Sequence, residues 1–478
     1  MSVRLTAAAL LLAVAPIAAP PTSAQEPTVR VRVLDREGPS AVTVWADAGA
    51  VTVAVDGRAV GALGPGDAAD VAVRGGAVEV RGPGLQGRGG RVELRGDGVR
   101  LRAGSVERRY AGSLAAAAVG GRLELVNAAP LEPYVSSVVA SEYPFAEVEG
   151  AKAQAVLART YALRRAGGVR FDLDDHTGSQ VYRGAGAETA VSRRAADETR
   201  GETLVWGGAL AETPYFSSSG GHTADNDAVW AGAPLPYLRG VADPHDAGSP
   251  HDAWESVVGR DRLHRVLSAR FGGRVTGFHV VRRTRSGRVA EVALDGARRS
   301  AVSGSGFRSA VNAELGARTI RSTRFEVDRD GGSYVFTGAG FGHGVGMSQY
   351  GALGQSRAGR DYRQILAFYF AGTDVSGATA GPLLASGAAA GTAGETVPRR
   401  PGGRAEGWGP ARGSALRTRY RPPSGRSRPA PRTPVETRPA PVQSATPPAY
   451  APPARAEAPR AERQPAEHEA PRPTRRAW

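Results

Sequence analysis

Cysteine is absent from this sequence. Its absence excludes disulfides, thiolate metal sites and cysteine nucleophiles together. It leaves the compartment open, because exported proteins also dispense with disulfides. Lysine is nearly absent: Lys152 is the single one among 61 basic residues, and the only methionines are Met1 and Met347. In a chain so biased toward arginine, a retained lysine points to a place where a compact ammonium is wanted. No zinc-protease HExxH or H-x₃-H spacing occurs, and no nucleophile elbow surrounds Ser217–Ser219. The glycines that begin at Gly338 are not followed by a βαβ unit, which removes a dinucleotide loop. After the apolar run Ala7–Ala19, itself short for a bilayer, no stretch is long enough to span a membrane.

With 41% hydrophobic residues the chain can build a sizeable core, and 478 residues leave room for two or three domains. The 64 glycines and 34 prolines assign much of the rest to loops or disorder. The net charge of +15 is uneven: beyond Ala380 there are 17 arginines against 7 glutamates. The part able to fold is therefore only mildly basic, and a nucleic-acid partner is not expected. Residues 376–478, rich in alanine, proline and arginine, cannot bury enough apolar area to fold and are expected to be a disordered tail. Its arginines could meet anionic wall polymers or a membrane, or simply be solvated. At the other end, Arg4, the apolar run and the small-residue site Thr22-Ser23-Ala24 have the three-part layout of a secretory signal. Residues 1–24 are thus expected to direct export to the periplasm or cell envelope, with no membrane span remaining after cleavage.

Short valine-rich runs cut by glycine and aspartate extend from Val29 to about Leu125, and their alternation predicts strands with one face buried. The expected fold is α+β. A β-rich region spans 25–107, a mixed catalytic core spans 108–375, and the tail follows. Within the core, Ala129–Ala166 reads as helix, break, helix. Val135, Val138 and Val139 form an apolar face, and Pro144 ends the first helix near Glu142. The second helix runs from Val148 to Arg165, carries a stripe of small residues at Ala151, Ala155, Ala158 and Ala162, and stops at Gly167-Gly168. Further helices are expected near 187–199, 261–270, 305–315 and 362–370, and a hairpin from Val275–Val281 and Val289–Leu294.

Glu142 closes the first helix, where the dipole's negative end disfavours a carboxylate. Burial against Tyr143 and Phe145 would act the same way, and a raised pKa is what a general acid requires. Glu132, at a helix start, and Glu147 and Glu149 are poorer candidates. The other reading of Glu142 is a surface or structural carboxylate. His176, His222, His245, His251 and His343 all lie in polar or glycine-rich loops, where binding residues collect. His176 and His222 with nearby aspartates leave a zinc site conceivable, and Ser217–Ser219 with His222 a weaker nucleophile arrangement.

Five ordered blocks then carry a family resemblance: LEPYVSSVVASEYP with AKAQAVLARTYAL, DDHTGSQVY, PYFSSSGGHT, VWAGAPLPYLRGV, and GFGHGVGMSQYGAL with ILAFYFAGT. From about Arg108 to Thr373 the chain resembles the stage II sporulation protein D and amidase enhancer family. The resemblance implies a peptidoglycan lytic transglycosylase acting on peptide-free glycan strands, with Glu142 as its acid. Lys152, Gln154, Arg159, Gln180, Tyr182, Ser217, Ser219, His222, His343 and Gln349 match family blocks and would line the substrate groove. Some members hold zinc through cysteines and a histidine. This chain has His176 and no cysteine, so no metal or other cofactor is expected. The alternative the resemblance allows is a non-catalytic wall-binding factor whose partner is an N-acetylmuramoyl-L-alanine amidase.

Overall fold

The structure is a computed structural model that describes residues 26–377, apart from 48 and 231. The expected signal segment 1–24 and all but the first two residues of the expected tail lie outside the described residues. Alternation builds the first half of the molecule. In Thr28–Val33 the valines at 29, 31 and 33 are buried while Arg30 and Arg32 face outward. Ala41–Ala46 and Val51–Val55 bury every second residue in the same way. The strands form a six-stranded and a seven-stranded sheet that contribute to one continuous core. In the seven-stranded sheet, Thr28–Val33 pairs antiparallel with Arg122–Pro130 and parallel with the short strand Leu173–Asp174. A loop from the helical part of the chain is thereby tied into the sheet.

Strand Arg122–Pro130 runs directly into helix α1 (Leu131–Glu142), followed by α2 (Val148–Arg165) and α3 (Ala190–Glu198). The short α4 (Asn226–Val229) lies in the next loop region. Two helices, α5 (Arg260–Phe271) and α6 (Gly304–Leu315), belong to a second core, and α7 (Gln349–Arg357) and α8 (Tyr362–Tyr369) are the last helices among the described residues. Ala151, Ala155, Ala158 and Ala162 are completely buried, and this small-residue face lets the neighbouring helices approach α2 closely. Inside the bundle Arg159 is fully buried and grips Glu132 with two bonds: Nε to Oε1 at 2.9 Å and Nη2 to Oε2 at 2.5 Å. Its remaining protons go to Thr199 Oγ1 and to the Ala196 and Glu202 carbonyls. One buried ion pair thus joins α1, α2 and the end of α3.

The second core gathers Leu263, Leu267, Phe278, Phe307, Phe325, Tyr334 and Phe336 between α5, α6 and two three-stranded sheets. The expected helices and hairpin of this part are present, with the hairpin strands at Gly273–Arg283 and Val289–Ala297. Among the elements that the sequence reading does not contain, helix α7 matters most for the site. Helix α7 begins inside the glycine-rich stretch 338–354, where Ser348 caps it by accepting the Gly351 N–H. Glycines at 351 and 354 conceal its helical period, yet both are required. A Cβ at Gly351 would lie 2.0 Å from the Tyr369 hydroxyl, and one at Gly354 would lie 2.0 Å from the His245 carbonyl.

Candidate active site

Glu142 is the last residue of α1, and the chain leaves the helix at Tyr143 (φ −125°, ψ 75°) before Pro144. Tyr143 folds back into the core over Gly150, where any Cβ would stand 1.9 Å from the phenol oxygen. Glu142 itself stays half-buried. Its Oε1 accepts the Val181 N–H at 2.7 Å, and the side chains of Gln349 and Tyr215 are near enough to favour the carboxylate. Burial raises its pKa, and this outweighs the Val181 hydrogen bond, the nearby Gln349 and Tyr215 side chains and the Arg183 charge, all of which favour the ionised form. The result is a carboxyl that holds a proton more tightly than usual while its ionised form still has partners waiting.

Those partners are oriented by a chain of bonds with a fixed direction. The Tyr134 hydroxyl donates to Gln180 Oε1 at 2.8 Å, and Gln180 Nε2 donates to the Tyr215 oxygen at 3.2 Å. The Tyr215 proton is left free for Glu142. His343 anchors Tyr215 from behind. Its Nδ1 accepts the Val345 N–H at 3.1 Å, so Nε2 carries the proton and donates to the Tyr215 carbonyl at 3.0 Å. Burial lowers the His343 pKa to about 4, which keeps the ring neutral. A two-residue parallel ladder pairs Tyr215 with Met347 and Phe216 with Ser348. This ladder brings two motif loops, more than 130 residues apart in sequence, to the end of α1.

A second node fixes the loops. Asp246 accepts bonds from Ser218 Oγ at 2.7 Å, Ser219 N at 3.0 Å, Gly220 N at 2.9 Å and Ser348 Oγ at 2.5 Å. Arg288, also buried, donates Nη2 to the Ser219 and His222 carbonyls and lies flat against Gly344, where a Cβ would come within 2.5 Å of it. Burial lowers its pKa to about 10. Asp243 sits beside Asp246 and accepts the Tyr369 hydroxyl at 2.9 Å; burial pushes its carboxyl up to about 6. In DPHDAGSPHD the sequence draws attention to His245 and His251 as loop histidines, but the aspartates Asp243 and Asp246 carry the network. Tyr134, Tyr215, Asp246 and Arg288 were all missed. The aromatic pair ahead of SSSGGHT was the one available signal for Tyr215.

The remaining expected site residues fall into two groups. Gln180, Gln349 and His343 gather around Glu142 as described. Ser217 and Ser219 hold the loop: the Ser217 carbonyl accepts the Tyr350 N–H, and Ser219 Oγ accepts the Gly221 N–H. His222 Nδ1 bonds the Thr223 carbonyl at 2.7 Å, and among the described residues no hydrogen bond joins its ring to Glu142. The others point into the scaffold. Arg159 pairs with Glu132. Tyr182 donates to Asn127 Oδ1 at 2.7 Å. Gln154 is fully buried, with neither amide atom hydrogen-bonded. Lys152 bridges Glu149 at 2.8 Å and Glu198 at 2.5 Å beneath the Tyr362 ring. A compact ammonium suits that two-carboxylate seat, which clamps α2 to α3.

Asp35, Asp174 and His176, the last being the histidine that the resemblance links to zinc, bring one ligand atom each within 4.8 Å of the others. The donor set fits a metal poorly. Arg32 already pairs with both carboxylates, at 3.2 Å to Asp35 and 2.7 Å to Asp174, and His176 Nδ1 accepts the Gly178 N–H.

Comparison with known proteins covers the same part of the chain. A family profile described as stage II sporulation protein matches residues 119–206, which hold α1, α2 and the Gln180 loop. A domain of unknown function matches residues 253–346, the second core. The chain is 32% identical over 274 residues to an uncharacterized protein of Brachyspira hyodysenteriae, covering 56% of this chain and 72% of that one. Over 270 residues it is 32% identical to stage II sporulation protein D of Bacillus subtilis, covering 52% of this chain and 76% of the relative. The amidase enhancer of the same bacterium is 29% identical over 287 residues, but only 40% of its length is covered. The coverage of these relatives, together with the profile that contains Glu142 and its helix break, shows that the chain belongs to the stage II sporulation protein D family.

Proposed function

We propose that this protein is an exported lytic transglycosylase that cuts peptidoglycan glycan strands between N-acetylmuramic acid and N-acetylglucosamine. The observation that carries the reading is the solitary character of Glu142. Its pKa is raised, and the groups that act on it most strongly are Val181, Gln349, Tyr215 and Arg183, none of them a carboxylate. An ordinary glycosidase needs two carboxylates, one as acid and one to serve water or the sugar. A single carboxylate suffices where the nucleophile belongs to the substrate.

The protonated Glu142 gives its proton to the glycosidic oxygen as the bond from C1 breaks, leaving an oxocarbenium-like sugar. The carboxylate so formed is met by the Val181 N–H, the Tyr215 hydroxyl and Gln349. It then accepts the proton of the same sugar's 6-hydroxyl as that oxygen closes on C1. The product carries a 1,6-anhydro ring, and Glu142 is protonated again. His343 moves no proton in this scheme; it positions Tyr215.

The test is digestion of purified peptide-free glycan strands by the full chain and by Glu142→Gln, with mass detection of anhydro-muramic ends. The proposal expects such ends from the unmodified protein and their loss in the variant. A second reading is favoured by one observation: a relative with 29% identity is named an amidase enhancer. As an enhancer the protein would stimulate a wall amidase equally with glutamate or glutamine at position 142, and would release no anhydro ends.

A further inference from the structure

We infer that the 253–346 segment, together with the rings beside Glu142, forms a carboxylate-reading extension of the glycan groove. This inference rests on the glycan-cleaving reading above. Its first support is a continuous series of rings that starts at the residue after Glu142. Tyr143 meets Phe145 at 4.8 Å, Phe145 meets Tyr350 at 5.1 Å, Tyr350 meets His251 at 6.0 Å, and His251 meets Phe341 at 4.9 Å, all edge-on. Phe145, Tyr350 and Phe341 are only half-buried. Tyr143 and His251 are buried and back the series, and the partly exposed Phe145, Tyr350 and Phe341 offer a surface to the apolar faces of sugars. Tyr350 also directly follows Gln349, so the series adjoins the catalytic carboxyl.

The second support lies at the far end. Arg318 stands over the Phe341 ring at 5.9 Å, and Arg321 Nη1 lies 3.4 Å from His251 Nδ1. Arg324 donates to the Gly220 carbonyl, on the loop that Asp246 holds. Arg318 is exposed and the other two are half-buried. Among the described residues none of the three has a carboxylate within ion-pair distance, whereas many other surface arginines, such as Arg109 and Arg164, do. The nearby Asp252 is turned to the Gly248 N–H at 2.6 Å. Burial lowers the His251 pKa, and the charges of Arg321 and Arg318 add to the effect against the smaller opposing pull of Asp246 and Asp252. Three neighbouring cations without an ion-paired carboxylate attract an anionic ligand. The glycan supplies carboxylates from two sources: the lactyl group of a muramic residue without its peptide, or the peptide itself. Arginine's planar fork suits either.

The experiment measures binding with the full chain carrying Glu142→Gln, so that the strands stay uncut. Three probes are used: peptide-free glycan strands, peptide-bearing strands, and a chitin oligosaccharide that has the same acetamido sugars without carboxylates. At low salt, Arg318→Gln should weaken binding to a carboxylate-bearing probe about threefold and Arg318→Gln/Arg321→Gln about tenfold, with chitin binding unchanged. Loss on peptide-free strands assigns the lactyl carboxylate, and loss confined to peptide-bearing strands assigns the peptide. Arg321→Lys, which keeps the charge, should retain most of the affinity. Equal loss on the chitin probe, or no loss on any, overturns the inference. The two proposals can fail separately. Strands bound through the arginines but never cut by the unmodified protein sink the catalytic reading alone. Strands cut equally well by the arginine variants at limiting concentration sink the extension alone.

Discussion

The two ends of α1 each carry a glutamate, and the two are treated in opposite ways. Glu132, at the start, is buried and held by two bonds from Arg159, with the Gly201 N–H adding a third to Oε1. Glu142, at the end, is half-buried and has hydrogen-bond donors but no bonded cation. Ten residues apart on one helix, the first carboxylate is spent on joining helices and the second is left able to exchange a proton. A carboxylate becomes available for acid–base work when the fold desolvates it without giving it a counter-ion.

Swapping these fates is the most forceful way to break the comparison. Glu142→Gln should lower kcat on glycan strands by about 10²–10⁴-fold, with thermal unfolding nearly unchanged. Removing one partner at the other end, as in Arg159→Ala, should destabilise the fold by about 3–5 kcal/mol because it strands a buried charge. Denaturant titration with retained activity of the folded fraction would check that assignment. A large activity loss in fully folded Arg159→Ala would mean that the two ends are not separate in function.

A smaller effect sharpens the same contrast. Tyr215→Phe removes one donor to the ionised Glu142 and should lower kcat by about tenfold. It should also move the alkaline limb of the pH–rate profile upward, since the lost bond favoured the carboxylate. An unmoved limb would mean that Tyr215 does not face the working carboxyl. His343, held neutral by a pKa near 4, should contribute no step to the profile between pH 5 and 8.

The smallest expected effect concerns Asp243, whose carboxyl is raised to about 6. The folded protein holds this proton more tightly than the unfolded chain. The stability it contributes is therefore complete below about pH 4 and is lost as pH rises through 6. Asp243→Asn, which mimics the neutral form, should remove a slope worth roughly 1–3 kcal/mol. Unfolding curves at several pH values would show it as two lines converging at low pH.

The helix–break–helix was legible because periodic valines, a proline and a glycine pair act locally, and α2 spans the residues that reading assigned to it. Glu142 was legible for the same reason. The groups that complete its surroundings come from far away in sequence. Tyr215 and Gln349 meet it only through a two-residue parallel ladder, and Gln180 only because Leu173–Asp174 joins the N-terminal sheet. Asp246 and Arg288 look like turn and strand residues until their burial is known. Lys152 stood out by composition, yet its rarity marks an ion-pair seat between helices. Composition points to an ammonium there but not to its use.

The central claim is that one carboxylate performs both proton transfers while the sugar's own hydroxyl serves as nucleophile. Digesting peptide-free glycan strands in oxygen-18 water and weighing the new ends tests it most directly. The account predicts anhydro ends that contain no solvent oxygen. New reducing ends carrying oxygen-18 would show that water attacks, and would contradict it.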